Sequence, residues 1–570
     1  MLKLTYGIPE ENVPSKFCDN FSYIPQKISY DTGKIEFSLN DRGCMLEFPI
    51  DGDEEIYGFG LQLKGFNHKG RKLTLRVNSD PVAYTGDSHA PVPFFVTTKG
   101  YGMYIDTLRT IDVYCGFHKK QKRQTNITAR NDVINNFDEL YLDRSEKEAT
   151  VMTIDIPGAK GIDIYIIEGK NITEIVSRYN MLSGGGCDVP EWGFGAVYRA
   201  YANYTDNDVT ELADYFKNNG IKITTIGLEP GWQTKSYSCS YVWDKERFPK
   251  YKEMIKYLKS NGFHINLWEH AFVDCTSPIY DELFDLSGNY EVWKGLVPDF
   301  SLDASGKIFA KYHKEYLTEL GIVGFKLDEC DSSDFVNSDW SFPNCAKFPG
   351  GLDGEQYHAI FGTLYMKTIL QSLDGVKTLS NVRNAGALAS CYPFVLYSDL
   401  YDHGDFIRGN VNSGFCGLLW TPEVRDAKNK KDFLRRLQTN VFSVQCLINA
   451  WYLDKAPWLE YGLEEEVKQL LIEREKLVPM LTEAFDEYKT SGKPPVRALV
   501  CDYTEDKETY AIDDEYIFCG RLLVAPLTEK SDTREVYLPF GKWRDYWTKE
   551  PVKCGWFSVE TENIPVYEKL

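Results

Sequence analysis

Between residues 187 and 480 the chain alternates short apolar runs with amphipathic stretches, and that alternation leaves few folds open. Thr205–Gly220 reads as a helix: Val209, Leu212, Ala213 and Phe216 recur at helical spacing and Gly220 ends it. Phe248–Gly262 reads as another, opened by Pro249 and carrying Met254, Ile255 and Leu258 on one face. Eight strands are predicted between such stretches, at Gly193–Arg199, Lys222–Leu228, His264–Trp268, Gly324–Leu327, Lys377–Val382, Phe394–Ser398, Gly417–Trp420 and Gln445–Asn449. Eight strand–helix units over about 290 residues make an α/β chain of (β/α)₈ TIM-barrel size.

At 570 residues the chain exceeds a single core. Residues 1–186 carry short alternating runs broken by Gly, Asn and Asp, such as Lys34–Leu39 and Ile162–Ile167, and predict an N-terminal β-sandwich. The joint Ser183-Gly-Gly-Gly-Cys187, followed by Pro190, separates it from the barrel at 187–480. From 481 to 570 the β texture returns in Tyr510–Ile512, Leu522–Ala525 and Val536–Leu538, giving a small C-terminal β domain.

Parallel barrels place their chemistry at the C-terminal ends of the strands. There the second strand meets Glu229, the third Glu269, the fourth Asp328, the fifth Arg383, the sixth Asp399 and the seventh Glu423. In Gly324-Phe-Lys-Leu-Asp-Glu-Cys-Asp331, alternation puts Lys326 and Asp328 on one face and Phe325 and Leu327 on the other. By itself that pair fits a structural ion pair as well as an active site. Five carboxylates and an arginine at one end of one barrel point to a catalytic or sugar-binding site. Paired carboxylates suit glycoside hydrolysis, where one attacks the anomeric carbon and the other protonates the leaving oxygen. They also suit Mg²⁺ with Lys326 as base, but Arg383 is a poor neighbour for a cation.

Composition removes other classes. The net charge of −20 disfavours nucleic acid and anionic membranes as partners. No run approaches the length of a membrane span, and no apolar leader opens the chain. Fourteen cysteines without Cys-x-x-Cys spacing read as reduced thiols, hence a cytoplasmic protein. No dinucleotide, Walker, zinc-protease or nucleophile-elbow motif occurs, so no cofactor or metal is expected. His270 and His403, near the third and sixth strand ends, read as satisfied polar residues.

Short motifs across the chain resemble those of glycoside hydrolase family 31, the retaining α-glycosidases. They are Tyr57-Gly-Phe-Gly60, Asn78-Ser-Asp80, Val92-Pro-Phe-Phe95, Lys99-Gly-Tyr-Gly102 and Trp192-Gly-Phe-Gly195. Trp243-Asp244 with Arg247-Phe-Pro249, Leu522-Leu-Val-Ala-Pro526, Val536-Tyr-Leu-Pro539 and Gly541-Lys-Trp543 follow in the family's order. The resemblance implies Asp328 as nucleophile, Asp399 as acid/base and Arg383 as a substrate-binding arginine. It places Glu229 where an aspartate contacts a sugar hydroxyl, and Asp80 on a loop reaching the same site. Trp268, Glu269, Lys326, Trp420 and Glu423 complete the expected substrate-binding set. Asp399 is expected to carry a raised pKa, from the charge of Asp328 and an apolar wall of Phe394, Leu396 and Tyr397.

Two departures bear on the sugar: Glu229 stands for Asp, and Asn449-Ala-Trp-Tyr452 replaces an Arg-x-His segment. The function implied is an exo-acting retaining α-glycosidase cleaving an oligosaccharide or glycoside, α-glucosidase first and α-galactosidase or α-N-acetylgalactosaminidase second. A non-catalytic sugar-binding protein on the same fold is the competing class, and a homo-oligomer is compatible with the sequence.

Overall fold

A computed structural model describes residues 1–79, 81–120, 150–333 and 340–570. The N-terminal part is two five-stranded antiparallel sheets. In Gly43–Ile50, Cys44, Leu46, Phe48 and Ile50 are buried while their neighbours are less so, the period-two signature of a sheet with one inner face. These residues meet Phe95, Met103, Ile105 and Ile164 of the opposite sheet in one core, a sandwich packing.

The central sheet has eight parallel strands: β1 (Ala196–Arg199), β2 (Ile223–Leu228), β3 (His264–Glu269), β4 (Gly324–Leu327), β5 (Ser380–Val382), β6 (Phe394–Leu396), β7 (Glu423–Val424) and β8 (Cys446–Asn449). Neighbours pair in sequence, β8 returns to β1, and a parallel bridge from Leu396 to Trp420 closes the ring between β6 and the segment entering β7. The barrel is therefore complete. The seventh strand lies later than expected: Gly417 is a left-handed cap at φ +68°, and Glu423–Val424 do the pairing. Pro422 interrupts the run before them, because it has no N–H to give a ladder.

The helices follow local rules. α1 (Asp206–Asn219) opens with a reciprocal Thr205–Asp208 capping box and closes on Gly220 at φ +67°; it buries Val209, Leu212, Ala213 and Phe216. α2 (Tyr251–Ser260), α3 (Asp303–Tyr316), α4 (Gly354–Leu373), α5 (His403–Asn412), α6 (Lys430–Val441) and α7 (Glu464–Ser491) complete the helices used below. α7 runs through residue 480, so the break in regular structure falls after Ser491 rather than at the expected boundary. Beyond it a six-stranded sheet and a two-stranded ribbon form the C-terminal β part, in which Lys507–Ala511 is a 3₁₀ turn, not the start of a strand. No helix among the described residues is long and apolar enough to cross a membrane.

Arg474 pins α7 to the barrel. Fully buried, it donates to the carbonyls of Phe194 (2.6 Å), Val441 (2.7 Å), Ser443 (2.6 Å) and Val444 (2.8 Å). Burial with no carboxylate beside it lowers its pKa to about 10. Arg474→Met would leave four carbonyls without their donor in an enclosed space. It is expected to cost about 3–4 kcal/mol, seen as a fall of several degrees in the thermal unfolding midpoint.

Candidate active site

Side-chain alternation decides which strand-end residues enter the barrel. Trp268, Lys326, Asn381 and Val395 are register partners across β3 to β6. Two residues beyond the last three come Asp328, Arg383 and Tyr397, which therefore share that inward face. Glu269, Leu327, Val382, Leu396 and Trp420 form the adjacent rung, which faces the helices.

The alternation corrects two expected substrate contacts. Glu269 lies behind the sheet, fully buried, accepting from Tyr365 of α4 (2.7 Å) and His313 of α3 (3.1 Å). Trp420 is fully buried too, its indole donating to the Phe406 carbonyl (3.1 Å) and lying over Gly409, where a Cβ would approach within 2.4 Å. Both are structural: one satisfies two helices, the other seats α5. Asp80 lies outside the described residues.

The remaining expected residues converge. The Asp328 carboxylate accepts from Trp268 Nε1 (2.6 Å) and the Glu329 amide (3.0 Å), and faces Lys326 Nζ and Arg383 Nη1, each at 3.8 Å. Trp268 is thus a hydrogen-bond donor to Asp328. Lys326 also reaches Glu229 at 3.3 Å. Glu229 is held from the other side by Arg199, whose guanidinium bonds Asn266 and the Leu228 carbonyl (3.0 Å) as well. Gly227 makes room for that arginine, since a Cβ there would come within 2.5 Å of the guanidinium. Glu423 is fully enclosed, paired with Arg425 (2.8 Å) and Asn449 (2.9 Å), and so bridges β7 to β8.

Arg383 is the hub. Its Nη1 bonds Asp399 as well as facing Asp328, and its Nε donates to Asp331 (3.0 Å). Asp331 also accepts from His89 Nδ1 (2.8 Å), and His89 Nε2 meets Ser398 Oγ (2.7 Å). His89 brings the N-terminal sandwich into the site from 242 residues away in sequence. Lys326 and Arg383 both lie over the ring of the buried Tyr397, at 5.0 and 5.4 Å from its centroid.

The electrostatics of Asp399 reverse the expectation. Partial desolvation of this half-exposed side chain would raise its pKa, but Arg383, with Lys326 and Arg425, outweighs that and holds it well below the usual range. Phe394 and Leu396 supply no wall, because Leu396 lies on the outward rung. Asp331 behaves alike: burial opposes ionisation, and Arg383 and His89 prevail. Glu329 is the opposite case. Burial, then the charge of Asp328, push its carboxyl well above the usual range, and its backbone sits at φ +56°. Burial likewise raises Glu423, partly opposed by Arg425.

An aromatic wall rises beside these charges. The Tyr237 ring contacts Trp268 (5.5 Å), His270 (5.5 Å) and Trp293 (5.0 Å), and Trp293 continues to Trp340 (5.6 Å). Tyr237 and Trp340 are each 53% exposed, so the wall faces solvent. Sequence reasoning missed Arg199, although it ends β1 as Arg383 follows β5. It missed Arg425, which shares the face of Glu423 by spacing. No local signal marks His89 or Tyr237.

The sequence matches the glycosyl hydrolases family 31 TIM-barrel domain over residues 187–484, its C-terminal domain over 492–569 and its N-terminal galactose mutarotase-like domain over 23–113. The chain belongs to glycoside hydrolase family 31. An α-xylosidase of Emericella nidulans is 22% identical over 87% of this chain and 62% of its own length. An α-glucosidase of Saccharolobus solfataricus is 24% identical over 95% of this chain and 83% of its own. The fold matches a Flavobacterium johnsoniae family 31 dextranase solved with glucose, at a TM-score of 0.78 and 21% identity over 95% of this chain and 68% of that one. The cycloalternan-forming enzyme of Listeria monocytogenes gives a TM-score of 0.76 at 20% identity, over 93% of this chain and 53% of that one.

The raised pKa of Glu329 has a stability consequence within this family 31 barrel. An acid whose folded pKa is raised contributes full stability below its unfolded pKa, and stability falls as pH climbs towards the folded value. Glu329→Gln removes that loss. The variant is expected to melt higher than the parent at pH 7, with the gap closing as pH falls to about 4, where both states hold the proton. Thermal unfolding across that range measures it.

Proposed function

We propose that this protein is a retaining α-glycosidase that removes terminal sugars from an oligosaccharide or glycoside through a covalent intermediate on Asp328. One observation carries the reading: Asp328 and Asp399 meet at a single nitrogen of Arg383, at the C-terminal mouth of a closed barrel. With Asp399 bonded to that nitrogen and Asp328 3.8 Å from it, the two oxygens stand closer than the roughly 6.5–9.5 Å that an inverting enzyme leaves for water. A shorter gap, about 5–5.5 Å, suits attack by one carboxylate while the other protonates the leaving oxygen.

Asp328 is equipped to attack. The Trp268 N–H, the Glu329 amide and two nearby cations favour its ionised form and aim it. Asp399 must first gain a proton, which Arg383 opposes while paired with it. A sugar hydroxyl that accepts from Nη1 draws the guanidinium off Asp399. The carboxyl is then left beside Asp328 without its partner, and its pKa rises. Substrate binding thus arms the acid. After glycosyl transfer to Asp328 the neighbouring negative charge is gone, Asp399 is ionised again, and it takes a proton from the water that releases the sugar.

The exo character rests on the floor of the site. Arg199, Asn266 and Glu229 fill the barrel below Lys326, so a chain enters by its end and its remainder lies along Tyr237, Trp293 and Trp340. An α-glucoside is the first substrate proposed. The lengthened Glu229, tied between Arg199 and Lys326, and Asn449 in place of the expected basic segment keep an α-galactoside or α-N-acetylgalactosaminide as the second.

Asp328→Ala is expected to lower kcat at least about 10⁴-fold, and full activity in it would defeat the proposal. Asp399→Ala should slow substrates with poor leaving groups most and recover partly with azide. Nitrophenyl α-glucoside, galactoside, xyloside and N-acetylgalactosaminide, compared by kcat/KM, decide the sugar.

A further inference from the structure

A cavity of about 480 Å³ lies between α5, α6 and the C-terminal β part, beyond Tyr401 from the active site. His403, Asp432 and Glu529 line it, and one ligand-capable atom of each lies within 4.8 Å of the other two. These residues come from the start of α5, the first turn of α6 and a loop of the C-terminal part, so nothing local requires them to meet.

The decisive detail is the tautomer of His403, which is 3% exposed. Its Nε2 is 2.9 Å from Thr439 Oγ1, and that hydroxyl spends its one proton on the Arg435 carbonyl at 3.0 Å. With that bond made, the hydroxyl oxygen accepts from the ring, which assigns the hydrogen to Nε2 and the lone pair of the neutral ring to Nδ1. Nδ1 is buried and has no hydrogen-bond partner. A buried lone pair without a donor is unfavourable, and a nitrogen of this ring lies within 4.8 Å of carboxylate oxygens of Asp432 and Glu529, so an electron-pair acceptor between them would satisfy all three. An imidazole fixed through its other nitrogen by a protein acceptor is the usual arrangement of a metal ligand.

We propose that His403, Asp432 and Glu529 bind one divalent transition-metal ion, zinc foremost, with water in the fourth position. Around zinc, ligand atoms about 2.0–2.2 Å from the ion stand about 3.2–3.6 Å apart, so side chains within 4.8 Å of one another close by at most about 1.6 Å to hold it. Neighbouring cations leave room for the charge. The lining holds four carboxylates (Asp402, Asp426, Asp432, Glu529) against three cations (Lys428, Arg436, Lys530), a net −1 with His403 neutral. Arg436 Nε (2.8 Å) and the Lys428 amide (3.0 Å) both donate to Asp432; the carboxylate keeps further lone pairs for the ion, and these donors orient it. Lys428 Nζ, 2.7 Å from Glu529, belongs to a side chain 67% exposed, which swings into solvent when the ion takes its place. The imidazole ligand selects zinc over calcium or magnesium, which take oxygen shells. His403 lies four residues beyond Asp399, so the ion would fasten the loop bearing Asp399 to the C-terminal part.

The test uses the full chain stripped with chelator and titrated with zinc chloride, read by metal content and thermal unfolding. One zinc per chain and a midpoint rise of a few degrees are expected, with His403→Gln and Glu529→Gln each weakening the dissociation constant at least about tenfold. The double variant, shown folded by circular dichroism, should bind no stoichiometric zinc. A stripped protein that takes up no zinc overturns the proposal, as does an equal response in the double variant or a response to calcium or magnesium but not zinc.

Discussion

The candidate active site depends on one buried cation. Arg383 contacts Asp328, Asp331 and Asp399 at once, and three carboxylates so close would repel one another without it. Buried charges persist only when paired and hydrogen-bonded, and here the pairing is shared among groups with different duties. Asp331 fixes the guanidinium with the help of His89, Asp328 lies at its edge, and Asp399 holds the arm nearest solvent. The Arg383–Asp399 pair is accordingly the outermost of the three.

The same logic extends across the barrel interior. Arg199, Glu229, Lys326 and Asp328 alternate in sign across the barrel interior from β1 to β4, so each charge lies beside one of opposite sign. Such a chain contributes little net stability against an apolar filling, but it fixes the position of each group. Rigid placement of this kind is what differential stabilisation of a transition state requires. Arg474 does the equivalent work beneath the barrel with carbonyls instead of carboxylates, and its role is purely architectural.

Much of the fold was legible because it rests on short-range periodicity. Val209, Leu212, Ala213 and Phe216 predicted α1 and its buried face, and the eight-fold strand count survived even where β7 was displaced past Pro422. The site was legible in part. Asp328, Arg383 and Asp399 stood out as charged residues after apolar strands, and they do meet. Glu269 stood out for the same reason, and neither it nor Trp420, the last residue of the expected seventh strand, joins them. A residue one step along a strand points to the opposite face, and the final step depends on where pairing ends. The pKa of Asp399 was misread for a related cause: the partner that sets it is sixteen residues away on another strand, within bonding distance only in the closed barrel.

By itself, then, the sequence determined the barrel, its flanking β parts and the carboxylate character of its mouth, since apolar period and strand-end charge are local properties. Tertiary structure alone decided which charges share a partner, which face the helices, and how His89 and the His403 cavity are assembled from distant segments. The physical reason is range. Periodicity acts over a few residues, whereas an ion pair or hydrogen bond acts over about 3–4 Å of space between residues the chain separates by hundreds.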